Sequence, residues 1–92
     1  MTSPDAAFSA LSHPVRRQML DGLLAGPKTV SQLGEDHTIS PGAISQHLRA
    51  LEKADMIRRT LNGRQHHIEL DERGFQHVLT WAQKYGAFWG AN

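Results

Sequence analysis

The stretch Ser40–Leu70, SPGAISQHLRALEKADMIRRTLNGRQHHIEL, decides the fold. Its first part repeats apolar residues at steps of four and three, which places them on one face of a helix; they are Ile44, Leu48 and Leu51. Its second part has strand character on both sides of Asn62-Gly63, a strong signal for a two-residue hairpin. A helix with one apolar face followed by a hairpin predicts a winged helix-turn-helix, which usually places its recognition helix in the major groove of DNA.

Signals for helix starts lie on both sides of this stretch. Ser3-Pro4 and Ser12-His13-Pro14 each put a proline at the start of a helix, and Thr29 with Gln32 can form a capping box. They predict helices over about 4–11, from 14 to Gly26-Pro27, and over about 29–37. The predicted order is α-α-α-α-β-β-α in one mainly α domain over residues 1–92. The recognition helix is expected at about 40–54, the β-hairpin wing at about 57–70 and the last helix, capped by Asp71, at about 72–90.

The charges of the chain are unevenly spread. Ten basic and nine acidic side chains among 92 residues give a formal net charge of +1. Between Pro41 and His67, however, five basic residues oppose two acidic ones, a net +3. Such a patch favours contact with phosphates over membrane binding, and an ordinary mixed surface is the alternative. The sequence contains no cysteine, secretory signal or membrane-spanning apolar run, so we expect a cytoplasmic protein without disulfides.

The face of the predicted recognition helix opposite its apolar residues carries the candidate DNA contacts. Gln46 can pair with adenine and Arg49 with guanine, and Ser45 can bind a base or a phosphate. Backbone N–H groups at the helix start, near Ser40 and Gly42, suit a phosphate. Arg64, immediately after the hairpin turn, is predicted to contact the DNA backbone or the minor groove. Phosphate contacts are predicted for Lys28, Arg58 and Arg59, with solvated charge as the alternative.

Three residues of the helical region have two interpretations. His47 adjoins the exposed face of the recognition helix and either lies near DNA or forms a hydrogen bond within the fold. Arg16 and Arg17 open the second helix, and one of them can pair with an acid internally instead of contacting DNA.

The last predicted helix has an unusually wide apolar stripe. Apolar residues recur there at steps of three and four, and Trp81 extends the surface; the predicted interface residues are Phe75, Val78, Leu79, Ala82, Tyr85, Phe88 and Trp89. Large apolar patches of this kind usually mark an interface between chains. We therefore expect a homodimer. The alternative is that the stripe only covers the core of the monomer, and part of the stripe is expected to do so in either case.

Three segments together resemble the ArsR/SmtB family of bacterial repressors: LSHPVRRQML at residues 11–20, ISQHLRAL at residues 44–51, and Gly63-Arg64 before a strand. The resemblance covers about Phe8 to Trp89. It implies a homodimer paired through the first and last helices, which adds Phe8 and Leu11 to the interface, and a two-fold symmetric operator in double-stranded DNA. It also places His47 at a position that often lies near DNA.

The resemblance implies a sequence-specific repressor that acts on an inverted repeat, its own promoter included, and has no catalytic site. One alternative is a winged-helix module that binds protein. Another is a metal-responsive repressor with histidine ligands. Relatives without cysteines often have no identified effector, and the sequence names none here.

The metal sites of the family are not matched by this sequence. Many relatives bind metals through a Cys-Val-Cys pattern at the start of the third helix, where this chain has Thr29-Val30-Ser31, and hydroxyls replace thiolates poorly. Others use acid and histidine ligands on the last helix, which here offers only His77. His66 and His67 are adjacent on a strand and point to opposite faces. Together with His13, His37 and His47 they form no recognisable ligand set, so no metal or cofactor is expected.

The turn before the recognition helix departs from the family pattern. Relatives usually have glycine where this chain has Thr38, and leucine where it has His37. Thr38 must therefore adopt a strained left-handed conformation, or the turn must be reshaped. For His37 we favour a half-buried, hydrogen-bonded position over a solvent-facing one.

Overall fold

The computed structural model describes residues 3–90, which form helices packed around a small antiparallel sheet. The helices are α1 (Pro4–Leu11), α2 (Pro14–Gly22), α3 (Val30–Glu35), α4 (Pro41–Lys53), α5 (Glu72–Gln83) and α6 (Gly86–Trp89), and the strands are β1 (Lys28–Thr29), β2 (Ile57–Asn62) and β3 (Gln65–Leu70). A short 3-10 turn, Leu23–Ala25, follows α2. α3 and α4 form the helix-turn-helix, and β2 with β3 forms the wing.

Side-chain caps begin four of the helices where the sequence predicted them. The hydroxyls of Ser3 and Ser40 accept hydrogen bonds from the backbone N–H groups of Ala6 and Ala43, each at 3.2 Å. Both bonds of the capping box between Thr29 and Gln32 are present. The Asp71 carboxylate accepts from the backbone N–H of Arg73 at 3.0 Å. These caps satisfy N–H groups that lack partners within their own helices, which sets where each helix begins.

The apolar face predicted for the recognition helix is confirmed, since Ile44, Leu48 and Leu51 are buried. They pack with side chains from α1, α2, α3 and the sheet; the fully buried ones include Ala7, Met19, Leu33, Met56 and Ile68. Because this cluster holds α4 by its inner face, the outer face of α4 is presented on a rigid support.

The sheet has three strands in the order β1-β3-β2, whereas the sequence predicted two. β1 pairs with β3 through Lys28↔Ile68 and Thr29↔His67. The sequence could not reveal β1, because a two-residue strand shows no alternation of apolar and polar residues.

The hairpin turn is also shifted by one residue from the prediction. Asn62 pairs with Gln65, so the turn consists of Gly63 and Arg64 instead of Asn62-Gly63. Gly63 has φ +63°, which matches the need for glycine at the first central position of a type II′ turn. Arg64 therefore lies within the turn, at the tip of the wing, and not immediately after it.

Three predicted helix ends were wrong. α2 ends at Gly22 and not at Gly26-Pro27, α3 ends at Glu35 and not at about 37, and the last helix divides into α5 and α6. Glycine is a poor helix former and stands at two of these points, Gly22 and Gly86. Beyond Gln83 the apolar side chains have no core to pack against; Phe88, for example, is 89% exposed. Tertiary packing therefore does not stabilise one continuous helix here.

The turn before the recognition helix is reshaped and not strained. Within residues 3–90, Asp55 is the one residue other than glycine with a positive φ, so Thr38 avoids the left-handed conformation. His37 is half-buried. Asp55, at φ +54°, instead forms the turn from α4 into β2, which packs against the start of α5.

Candidate nucleic-acid interface

The outer face of α4 carries one continuous exposed stripe. Gly42, Gln46, Arg49 and Lys53 are all exposed and follow one another at steps of four, three and four residues. We call these four residues the outward stripe. It lies opposite the buried face, so a groove that receives α4 meets an amide and two cationic side chains first. Lys53 was not among the predicted DNA contacts, although its spacing of four residues from Arg49 places it on the same helix face.

Two serines predicted to contact DNA occupy different surroundings from this stripe. Ser45 is half-buried on the side of α4 that faces α3, where it lines a groove of about 480 Å³ with Val30, Gly34, Ile39 and other residues. Ser40 is exposed, but its hydroxyl already caps α4. Ser45 thus flanks the outward stripe. The hydroxyl of Ser40 is already engaged, so the backbone N–H groups at the helix start are the more available donors there.

His47 had two interpretations, and the one that the structure contains is a hydrogen bond within the fold. The Arg16 Nε–H donates to His47 Nδ1 at 3.1 Å. The pKa of His47 lies below its usual value of 6.5 because of burial first, and then because of the nearby charge of Arg16 and of two further histidines. Arg17 Nη1 donates to the Leu11 carbonyl at 2.7 Å. The internal acid that was one alternative for Arg16 or Arg17 is therefore not found within residues 3–90.

Two basic side chains of the wing are paired with acids, which the net charge did not reveal. Arg58 Nε binds Glu69 at 2.9 Å, and Arg59 Nη2 binds Glu52 on α4 at 2.6 Å. The first pair is largely exposed and the second is half-buried, and surface pairs contribute about 0–1 kcal/mol, so a phosphate can compete for Arg58 most readily. Lys28 is half-buried on β1, and its contact with DNA stays a prediction, as do those of Arg58 and Arg59.

The tip of the wing combines one basic and one apolar residue. Arg64 is exposed in the hairpin turn, and Leu61, two residues before Gly63, is 62% exposed. Leu61 was not among the predicted DNA contacts. An apolar side chain beside a cationic turn matches the surfaces that contact a DNA minor groove.

The apolar stripe of the last helix divides into two groups. Phe75 and Val78 pack against the core, as does Leu11 of α1, while Ala82 is half-buried. The side chains that remain exposed are Leu79, Trp81, Tyr85, Phe88 and Trp89. Trp81 of α5 contacts α1, because its ring lies edge-on to Phe8 with centroids 5.5 Å apart. We call Leu79, Trp81, Tyr85, Phe88 and Trp89 the aromatic face.

No group of three or more His, Asp or Glu side chains that could hold a metal ion is found in residues 3–90. The same part of the chain contains no helix with the length and hydropathy needed to cross a bilayer.

The architecture can now be compared with known proteins. A family model described as "Bacterial regulatory protein, arsR family" matches residues 13–59, just over half of the chain. The chain belongs to the arsR family. This arsR-family chain is 35% identical over 78 residues to the HTH-type transcriptional regulator Rv2034 of Mycobacterium tuberculosis, with 85% of this chain and 73% of that protein covered. It is 34% identical over 74 residues to the transcriptional repressor SdpR of Bacillus subtilis, with 80% and 82% covered.

Solved structures agree with this assignment. The ArsR family transcriptional regulator RHA00566 superposes with a TM-score of 0.86 at 27% identity, over 100% of this chain and 99% of that one. The homodimeric winged helix-turn-helix domain of Mb0332 from Mycobacterium bovis gives a TM-score of 0.71 at 17% identity, over 91% and 80%, and therefore shows the fold alone. The predicted winged helix-turn-helix and the predicted family are confirmed, and the arsR-family chain is a transcriptional regulator from a DNA-binding, non-enzymatic family.

Proposed function

We propose that this arsR-family protein is a homodimeric repressor that binds an inverted repeat in double-stranded DNA and occludes a promoter, its own included. The observation that carries the proposal is the outward stripe of α4, a polar and cationic surface on a helix held by its opposite face. Two such helices, related by a two-fold axis, would meet half-sites about one helical turn apart.

The aromatic face supports the homodimer. Five large apolar side chains on α5 and α6 are between 45% and 89% exposed, an unfavourable arrangement for a chain on its own in water. In the proposed dimer, α1 and α5 with α6 of each chain cover one another. The structural neighbour Mb0332 is homodimeric, and the relative SdpR is a repressor, which agrees with both parts of the proposal.

Base recognition is assigned to the outward stripe and phosphate contact to its surroundings. Gln46 and Arg49 have the donors and acceptors to read adenine and guanine. The start of α4 at Ser40 and Gly42 offers backbone N–H groups to a phosphate, with Ser45 beside them. The wing adds Arg64 at its tip. Arg58 and Arg59 can exchange their carboxylate partners for phosphates, and Lys28 on β1 can contact a further one.

Selection of bound sequences from a random DNA pool, at roughly physiological salt, tests this proposal. An enriched inverted repeat is expected, and its affinity should fall steeply as salt rises, because each phosphate contact releases counterions. Absence of any enrichment over competitor DNA would contradict the proposal. Binding that is insensitive to salt would instead favour the winged helix as a protein-binding module.

Replacing Arg64 with alanine is expected to weaken binding to the selected duplex and to unrelated duplexes by the same factor. Arg64 lies in the turn of the wing, away from the outward stripe, so we assign it to the DNA backbone and not to a base. The slope of log affinity against log salt should fall by about one per protomer. Lys84→Ala, which removes an exposed charge after α5, is the control and should leave the slope unchanged. A loss confined to the selected sequence would contradict this role.

A further inference from the structure

Four basic side chains come together on the flank of α4 that faces α2. His13 precedes α2, Arg16 lies in its first turn, His37 lies in the turn before α4, and His47 is on α4. The rings of His13 and His47 have centroids 5.9 Å apart, and the Arg16 guanidinium donates to the His47 ring at 3.1 Å. We call these residues the His47 cluster.

Within residues 3–90, no carboxylate forms an ion pair with a member of the His47 cluster. The pKa of His47 is lowered by burial, then by Arg16, His13 and His37, and no carboxylate opposes them. On the neighbouring elements, Asp5 on α1, Asp21 on α2, Glu35 on α3 and Asp36 after α3 are exposed, and Glu52 on α4 is bound to Arg59 of β2. Arg16 is therefore a cation that has the His47 ring, and no carboxylate, as its side-chain partner in the described part of the chain.

The hydrogen bond from Arg16 keeps His47 neutral in the free protein. Because His47 Nδ1 accepts that bond, the ring carries its proton on Nε2. A second proton at Nδ1 would break the bond and place a cation beside the Arg16 guanidinium. A bound anion reverses this preference, since its negative charge stabilises the doubly protonated ring and frees Arg16 to donate to the anion.

The position of the cluster indicates which anion it meets. His47 directly follows Gln46 of the outward stripe and lies on the side of α4 toward α2. A helix lying in the major groove has sugar-phosphate backbone on both sides, and most hydrogen bonds to DNA go to that backbone. A phosphate diester beside α4 is thus the anion within reach.

We propose that His13, Arg16 and His47 form a subsite for one backbone phosphate of DNA, and that DNA binding there is accompanied by proton uptake. The subsite rests on the proposed function, because it requires α4 to lie in a groove. In the complex, Arg16 and the protonated His47 ring donate to the phosphate oxygens, with His13 at the edge of the site. The complex then binds more protons than the free protein and free DNA together, so affinity increases as the pH falls through the range in which His47 titrates.

Fluorescence anisotropy with the selected duplex and with a random duplex of equal length, at constant ionic strength, tests the subsite. As the pH falls from about 8 to about 5.5, the affinity of the unmodified protein is expected to rise for both duplexes, towards a limit of roughly tenfold per protomer, which corresponds to a pKa increase of about one unit on binding. His47→Gln retains a hydrogen-bond acceptor for Arg16 but cannot be protonated, so most of this rise should disappear. His13→Gln, at an exposed position, removes the imidazole from the edge of the site and should weaken binding without affecting folding. His77→Gln on α5 is the control and should preserve the rise.

The outcomes separate the subsite from the proposed function. Binding without pH dependence, or pH dependence that persists in His47→Gln, contradicts the subsite alone. Absence of binding at either pH contradicts the proposed function and the subsite with it. NMR titration of the His47 ring gives an independent measurement. Its pKa should rise when the random duplex is added, and an unchanged or lower value overturns the proposal.

Discussion

Replacing Gly74 with alanine is expected to lower the free energy of unfolding by about 3 kcal/mol, the upper part of the usual range for overpacking. A Cβ on Gly74 would overlap the Ala54 carbonyl oxygen and lie 2.7 Å from Met56 Cγ. The start of α5 cannot move away freely, because the Gly74 N–H donates to the Asp55 carbonyl at 2.7 Å and Asp71 is fully buried. Urea denaturation followed by circular dichroism measures the effect.

Gly34→Ala is the matched control for this experiment. Gly34 lies within α3, and a Cβ there would meet no atom within 4 Å. Alanine favours a helix over glycine by roughly 1 kcal/mol, so this variant should be as stable as the unmodified protein or more stable. Gly74→Ala within about 0.5 kcal/mol of the unmodified protein would contradict the tight packing of α5 on the turn after α4.

Replacing Leu79 with aspartate is expected to convert the dimer to monomers and to lower operator affinity at least about a hundredfold. Leu79 is half-exposed on α5 within the aromatic face, so the change does not disturb the core of a single chain. In a two-fold interface the new carboxylates would be buried from both chains at once, and burying a charge taken from water is strongly unfavourable. Sedimentation velocity measures the mass, and anisotropy measures the affinity.

Leu24→Asp is the control for this change. Leu24 is 75% exposed on the 3-10 turn after α2, and it lies outside the aromatic face. This variant should remain a dimer and bind the operator as before. A Leu79→Asp variant that stays dimeric would contradict the assignment of the interface to α5.

Local signals explain which parts of the fold could be predicted from the sequence. The caps at Ser3, Thr29 and Ser40 act within three residues, and the apolar period of α4 depends only on helix geometry. Both therefore appear in the sequence itself. The tight contact at Gly74 depends on α5 meeting the turn after α4, and no pattern near Gly74 announces that approach.

Pairing between distant residues explains what could not be predicted. Asn62-Gly63 and Gly63-Arg64 both place glycine in a hairpin turn, and only the pairing of β2 with β3 selects the second. Likewise, whether Arg58 and Arg59 face solvent or acids depends on Glu69 of β3 and Glu52 of α4. The aromatic stripe of the last helix was visible, but its division into core and exposed residues requires the packed structure.

The measurement that tests the central claim most directly is a repeat of the random-pool selection with Gln46→Ala in parallel with the unmodified protein. Gln46 is exposed on the outward stripe and is not among the buried core residues. We predict that the variant enriches the same inverted repeat but loses the preference for one base per half-site, at a cost of about 1–3 kcal/mol for each half-site. An identical enriched sequence from both proteins would contradict the assignment of base recognition to the outward stripe of α4.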